Sequence, residues 1–372
     1  MAAIRLAAPM PAKPSWGPHP SGRFCEAPFA YPILITFRAV MSVALQTLPT
    51  RSLEPGKTVA IVNPRASSGA AERRWALVRD ALEVHFPGLE TRYTEGPNHA
   101  GELVRDALES GTETIVSFGG DGTTNEVLCG FVDERGDNRF PDATLAILAA
   151  GTGGDFQRMF GRAKVQRQID RLCTALPRTV DYGMAYFTRP DGCTAARPFL
   201  NIASIGVSGD VVRRVNGSDA KLGATMKYVV GSLKGIAHWR NVQVYVRYDE
   251  EIDERTPEPS CRRIDLTLGV VANGQYFGAG MWVCPHAAID DGLFDCLEVT
   301  GMSRTKLTAT LAKVFGGKHL RTRGIEHRNA TRVAFDPVWS EADVPIEIDG
   351  EQVGTLPARF ELKRRSIKVR IQ

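Results

Sequence analysis

Residues 117–126 read SFGGDGTTNE, with the β-branched run TIV (114–116) before them and the apolar run VLCGFV (127–132) after. Strand, glycine-rich turn and helix in succession form the unit from which parallel α/β sheets are built. Gly119, Gly120 and Gly122 let backbone amides approach an anion, yet Asp121 stands among them. A carboxylate repels phosphate, so its presence needs a reason. One reason is conformational, since Asp tolerates unusual turn geometry, but the flanking glycines are expected to supply that freedom already. The other is a divalent cation, because Mg²⁺ is typically held by one or two carboxylates together with substrate phosphates. On that reading the loop seats a metal-bound polyphosphate.

The same unit recurs on both sides. TVAIVNP (58–64) reads as a buried strand, followed by the polar loop RASSGA and the helical stretch AERRWALVRDALEVHF. ETRYTE is a second strand and NHAGELVRDALES a second amphipathic helix. ATLAILAAG (143–151) is a fourth strand, with a glycine loop and DFQRMFG after it. This alternation predicts a doubly wound parallel sheet with helices on both faces, whose ligands bind beyond the carboxyl ends of the strands. The three glycine-rich loops should therefore converge. In the first, Asn63 fixes the turn while Ser67, Ser68 and Gly69 offer donors at a helix start; a purely structural turn is the alternative. In the third, Thr152 offers a hydroxyl and Asp155 a carboxylate, or else Asp155 serves only as a helix N-cap.

Beyond Asp181 the chain changes character. PFLNIASIG, NVQVYVRYD, RIDLTLGVVANG, LFDCLEVTG, VPIEIDG and RFELKRRSIKVRIQ are β-rich segments parted by Gly, Asp and Pro, which predicts a mainly antiparallel β-sandwich. The expected divisions are an extension over 1–55, an α/β domain over 56–182 and the sandwich over 183–372, with the last strand returning to the first domain. DEEIDERTPEPSCRR (249–263) reads as an exposed, charged excursion. One helix, KLGATMKYVVGSLKGIAHW (221–239), places Leu222, Met226, Val229, Val230 and Leu233 near helical spacing. Core packing is its ordinary explanation. A lipid-facing role, with Lys221, Lys227 and Lys234 at headgroups, is the alternative.

Bulk properties narrow the function classes. The length of 372 residues suits about two domains, and 43% hydrophobic with 24% charged residues is ordinary for a globular protein. A net charge of +4 is too weak and scattered to argue for nucleic acid. Seven cysteines with no CxxC pair read as reduced thiols of a cytoplasmic protein. The first 55 residues are rich in Pro, Ala and Gly and are expected to be disordered, with Met41 a second candidate start and a targeting peptide the alternative. From Lys57 onward no run has transmembrane length.

Two acidic motifs lie in the second half. HAAIDDGLFD (286–295) reads as a turn with two carboxylates, and an Asp-Gly step also lets side-chain and carbonyl oxygens face one point, as a hard cation requires. In IEIDGEQVG (346–354), Asp349 and Glu351 share a side if a strand continues through them; a hairpin turn at Asp349-Gly350 is the alternative. There is no GxxxxGK[ST] loop, no HRD or DFG set and no GxGxxG, so P-loop, protein-kinase and dinucleotide fingerprints are absent.

VNPRASSG, GGDGTTNE, AAGTGGDF, ANGQYFGAGMWVCPHAAIDDGLFD and IDGE, in this order and spacing, resemble the diacylglycerol kinase catalytic-domain family, in particular its soluble bacterial lipid kinases, which are related to sphingosine kinases. The resemblance spans about Lys57 to the C-terminus. GGDGT alone also suits NAD kinases and phosphofructokinases; DDGLFD and IDGE narrow it.

The resemblance implies a fold with an NAD kinase/phosphofructokinase-like first domain and an enzyme using ATP and Mg²⁺ to phosphorylate a lipid hydroxyl in phospholipid metabolism. It implies nucleotide contacts at Asn63, Pro64, Ser67, Ser68, Gly69, Thr94, Gly119, Gly120, Asp121, Gly122, Thr123, Thr124, Asn125, Glu126, Gly151, Thr152 and Asp155. A metal at Asp121 is expected from the loop chemistry, and the resemblance implies a structural Mg²⁺ on Asp291 with the carbonyls of Ala288 and Leu293. Glu351 is implied as proton acceptor, with Asp349 orienting it or sharing the role. The chain departs from the family pattern at Ala149, Gly154 and Gln157, which stand for Pro, Asn and Ala, while Asp155, Phe156 and Arg158 are kept. The lipid would be reached at the membrane surface from the cytoplasm, and a homodimer is an assembly left open. The rival readings are an NAD-kinase-like small-molecule kinase and a silent nucleotide- or lipid-binding protein.

Overall fold

The computed structural model describes residues 56–371 except Ser68, 151–153, Arg162, 217–223, 250–260 and Glu341. Expectations for the first 55 residues, Ser68, Gly151, Thr152, Lys221, Leu222 and most of the charged excursion lie outside the described residues.

The chain begins with β1 (Thr58–Val62), α1 (Ala70–Glu83), β2 (Glu90–Tyr93), α2 (His99–Glu109), β3 (Thr114–Gly119), α3 (Asp121–Phe131) and β4 (Thr144–Ala149). These strands pair in parallel in the order β2-β1-β3-β4. Every residue of β1, β3 and β4 is buried, because helices cover both faces of the sheet. Val59, Ile61, Ile115 and Ile147 pack under α2 and α3 with Val104, Leu128 and Phe131. The alternate residues Ala60, Val62, Val116 and Phe118 pack against Trp75 and Leu82 of α1. Side-chain alternation along each strand thus serves two cores.

Two short helices follow, α4 (Asp155–Arg158) and α5 (Val165–Thr174), before the long strand β5 (Arg178–Thr188), which runs through the expected boundary at 182/183. The remainder comprises β6 (Thr194–Phe199), β7 (Ile202–Gly206), α6 (Val207–Asn216), α7 (Ala224–His238), β8 (Val242–Tyr248), β9 (Arg262–Ala272), β10 (Tyr276–Phe277), β11 (Met281–Trp282), β12 (Phe294–Thr300), α8 (Arg304–Val314), β13 (Ile325–Ala330), β14 (Arg332–Pro337), β15 (Pro345–Ile348) and β16 (Glu351–Arg370).

Antiparallel pairs link β7, β15, β16, β14, β8 and β9 in sequence, and β9 pairs back to β7. Six strands of the β-rich half thus form a closed antiparallel ring. This closure leaves fewer free edges than two separate sheets. Inside it Phe199 stacks on Phe294 at 5.6 Å and meets Phe360 edge-on at 6.3 Å. A 20-residue β16 joins the halves: its start pairs with β15, and its end pairs in parallel with β4 through Lys368–Arg370.

The outer face of β7, β9 and β12 carries a further apolar layer of Ile202, Val270, Val283 and Leu297. Helices α6, α7 and α8 roof it. Along α7 the default core reading needs correction: Met226 and Leu233 are exposed, at 52% and 40%. The inward face is instead Tyr228, Ser232 and Ile236.

Candidate active site

Register brings the glycine-rich loops together. Val62 of β1 lies opposite Phe118 of β3, and Gly119 lies opposite Ala149 of β4. The amide of Asn63 donates to Phe118 O at 3.1 Å, and that of Ala150 donates to Gly119 O at 2.9 Å. The first loop closes through Asn63: its Oδ1 accepts from Arg65 N, and its Nδ2 donates to Thr123 Oγ1 at 3.0 Å in the second loop. Ser67 and Gly69 are exposed with φ of 53° and 81°, Pro64 lies in the same turn, and the Thr94 amide donates to Val62 O.

The second loop differs from its sequence reading in two ways. Asp121 is not the centre of a turn but the first residue of α3, where the helix dipole favours a negative charge. None of its neighbouring glycines has left-handed backbone, and two of them, Gly119 and Gly122, are there for space. A Cβ on Gly119 would lie 2.4 Å from Thr123, and one on Gly122 would lie 2.7 Å from Glu351 Oε1. Gly120 faces solvent with nothing within 4 Å of such a Cβ. The Thr124 hydroxyl pairs with Ser117, and Glu126 Oε2 accepts from Ala100 N at the start of α2.

Asn125 is turned inward. Its Nδ2 donates to Pro198 O at 2.8 Å and Asp349 Oδ2 at 2.9 Å, while its Oδ1 accepts from Arg197 Nε at 2.6 Å. The side chain expected at the nucleotide is therefore spent in joining α3 to β6 and to the β15–β16 hairpin.

That hairpin turns at Asp349 and Gly350, both with positive φ (46° and 92°), so the strand does not continue and the turn reading holds. Asp349 accepts hydrogen bonds from Asn125 Nδ2 and from the amides of Leu200, Asn201 and Ile202. Burial pushes its carboxyl up to about 6 against these donors. Glu351, two residues on, keeps 40% of its side chain exposed and receives Arg197 Nη2 on Oε2 at 2.9 Å.

Asp155 is the first residue of α4, but its side chain does not cap it. Oδ2 accepts from Ala279 N at 2.7 Å and Oδ1 from Arg158 Nε at 3.2 Å, while its amide donates to Asp121 Oδ2 at 3.2 Å. Burial raises the Asp155 carboxyl to about 7, and the charge of Asp121 adds to this. Asp121 is raised as well, by burial, against backbone donors from Asp155 and Phe156. The two carboxylates share one low-dielectric corner.

Asp121, Gly122, Asp155, Asn201, Glu347, Asp349 and Glu351 line one cleft of about 240 Å³. Residues 121 and 351, far apart in sequence, thus face the same space. In the DDGLFD loop, Asp291 Oδ1 accepts from Leu293 N at 3.0 Å, and the loop is pinned from below by buried Asp181, which accepts from Gly292 N at 2.8 Å. Ala288 precedes this turn. Among the described residues no three His, Cys, Asp or Glu side chains gather closely enough to hold a metal by themselves.

Two family models match the chain in succession: the diacylglycerol kinase catalytic domain over 57–185, and the YegS C-terminal NAD kinase beta sandwich-like domain over 201–371. The chain belongs to the diacylglycerol kinase catalytic-domain family. It is accordingly a phosphotransferase with an alcohol acceptor.

Among relatives in this family, a diacylglycerol kinase from Mycobacterium tuberculosis is 27% identical over 327 residues, covering 84% of this chain and 97% of the relative. One from Bacillus subtilis is 24% identical over 311 residues, covering 83% and 94%. The crystal structure of a diacylglycerol kinase from Bacillus anthracis shares the fold at TM-score 0.60 and 21% identity, covering 85% of this chain and 97% of that one.

Several site residues of this family member were not read from the sequence. Arg197 sits between Ala196 and Pro198 in a strand, and Glu347 sits between Ile346 and Ile348 in the fully buried β15. In each case a charge inside an apolar run was the available signal. Asn201 had none.

Proposed function

We propose that this chain is an ATP-dependent lipid kinase that transfers the γ-phosphoryl group to a hydroxyl of diacylglycerol or a related long-chain lipid alcohol. One observation carries the reading: the acidic cleft shares Val212, Tyr228 and Phe277 with an apolar chamber of about 110 Å³. A polar small-molecule acceptor has no use for such a chamber, whereas an acyl chain gains roughly 0.8 kcal/mol per buried methylene.

Asn63 to Gly69, Thr94, Gly119 to Glu126 and the 151–155 loop would receive the nucleotide, with the amides at the start of α3 facing its phosphates. Asp121 and Asp155 fit a cation: burial raises both carboxyls and the charge of Asp121 raises Asp155 further, a cost that a positive ion between or beside them relieves. Mg²⁺ bound there would supply charge beside the phosphate oxygens. Asp291 with the carbonyls of Ala288 and Leu293 is an oxygen-only set suited to a second, structural Mg²⁺.

Glu351 is accessible and held in place, so it is the group to take the proton from the acceptor hydroxyl. The alcohol oxygen bonds to the γ-phosphorus as the bond to the β-bridging oxygen breaks, ADP leaves, and the proton passes to the Glu351 carboxylate. Asp349, with its oxygens occupied by N–H donors, orients the hairpin and does not act as base. Among the described residues no helix is long and apolar enough to cross a membrane. The lipid would be met at the cytoplasmic membrane surface by peripheral contact.

Purified protein incubated with γ-labelled ATP, Mg²⁺ and separate pools of diacylglycerol, other long-chain alcohols and NAD tests the assignment. Label is expected in a phospholipid product. Label on NAD alone, or none on any acceptor, overturns it.

A further inference from the structure

We propose that Tyr228 is a specificity-determining residue that orients the acceptor by donating its hydroxyl hydrogen to a second oxygen on the carbon next to the reacting hydroxyl. This rests on the lipid-kinase reading above and narrows it to acceptors that carry oxygens on adjacent carbons.

The position of Tyr228 is what singles it out. Val212 of α6, Tyr228 of α7 and Phe277 of β10 form the neck common to the acidic cleft and the apolar chamber. Tyr228, Ser232 and Ile236 follow one another at four-residue steps, so they make one face of α7 that descends about 12 Å into the chamber. Tyr228 stands at the cleft end of this face. A Cβ on Gly350 would lie 3.9 Å from its hydroxyl, so the hydroxyl overlooks the hairpin tip between Asp349 and Glu351. A Cβ on Gly278 would lie 3.3 Å from its ring, so the ring is packed against β10.

The hydroxyl is a donor left open to the cleft. Among the described residues no hydrogen bond engages it, although its ring is largely enclosed. Burial pushes the phenol up, and the charges of Glu347, Asp155 and Asp121 add to this, so it stays protonated.

An acceptor lying with its reactive hydroxyl at Glu351 and its chain in the chamber must pass its next carbons through the neck. A plain alcohol presents only methylenes there. A glycerolipid presents an ester or hydroxyl oxygen, which satisfies the donor.

The test compares wild type with Tyr228→Phe, which keeps the ring and the wall. The readouts are kcat/KM for 1,2-dioleoylglycerol and for oleyl alcohol in the same mixed micelles, with KM for ATP. The expected result is a loss of about tenfold on dioleoylglycerol, the worth of one hydrogen bond. Oleyl alcohol turnover and the ATP KM should be unchanged. Equal losses on both acceptors, or no loss on dioleoylglycerol, overturn the proposal while leaving the lipid-kinase reading standing. A wild-type protein that phosphorylates neither lipid overturns both.

Discussion

Arg197 holds Glu351 by a 2.9 Å bond from Nη2 to Oε2, while its Nε reaches Asn125 Oδ1 at 2.6 Å. One guanidinium therefore ties the last hairpin to the helix that begins at Asp121. Arg197 keeps 15% of its side chain exposed, enough burial for the fork to be ordered and for its loss to be felt.

Replacing Arg197 with Met keeps the stem and removes the fork. Glu351 then samples other rotamers, and kcat is expected to fall by about tenfold to a hundredfold, the range that misplacement of a reacting group brings. The ATP KM should stay within about twofold of wild type, because the one loop residue that Arg197 touches, Asn125, has its side chain already engaged with Pro198 and Asp349. Steady-state kinetics on both substrates check this; a rise in ATP KM matching the fall in kcat would count against the clamp.

Glu351→Gln and Asp121→Asn should separate. General-base help is worth about 10² to 10⁴ in rate, so the first is expected to lower turnover within that range with nucleotide binding nearly intact. The second removes charge from the corner shared with Asp155 and should instead raise the Mg²⁺ and ATP concentrations needed for half-maximal rate. Titrations of Mg²⁺ and ATP on each variant decide it. Identical losses of ATP affinity in both would end the division of roles.

The parallel sheet was legible because β1, β3 and β4 are buried on both faces and so read as unbroken apolar runs between polar loops. Asp121 drew notice because a carboxylate beside glycine turns needs a chemical reason, Asp155 stood open between that and a helix N-cap, and the role of Glu351 came from the family resemblance alone. The network behind them was not. Asn125 joins Pro198 and Asp349 across sequence separations of 73 and 224, and no local pattern encodes such a partner. Nor did the period of α7 say which face would be roofed: Met226 and Leu233 are as apolar as the inward Ile236, and only the placement of α6 and α8 decides between them.

Gly122→Ala tests the closeness of the two halves. The added Cβ would meet Glu351 Oε1 at 2.7 Å, the far end of a flexible side chain, so the carboxylate moves and the backbone does not. Stability should change little, or rise by up to about 1 kcal/mol, since Ala is the better helix former. Turnover should fall because Glu351 is displaced. A thermal melt together with kcat measures both, and a variant that is destabilised yet catalytically normal would contradict the geometry.

Glu347 makes stability depend on pH. It is buried in β15 between Ser204 Oγ and Gly350 N, and burial raises its carboxyl from 4.5 to about 7. The folded state thus holds the proton more tightly than the unfolded chain. Its contribution is fully present below pH 4.5 and is lost as pH rises through 7. Between pH 5.5 and 8 this one group should cost about 2 kcal/mol of unfolding free energy. Glu347→Gln, which keeps the shape and cannot ionise, should flatten that part of the profile. Urea unfolding at a series of pH values on both proteins gives the comparison. Parallel profiles for the two would mean that Glu347 titrates in the folded protein as it does in the unfolded chain, and that the hairpin carrying Asp349 and Glu351 is held independently of its protonation.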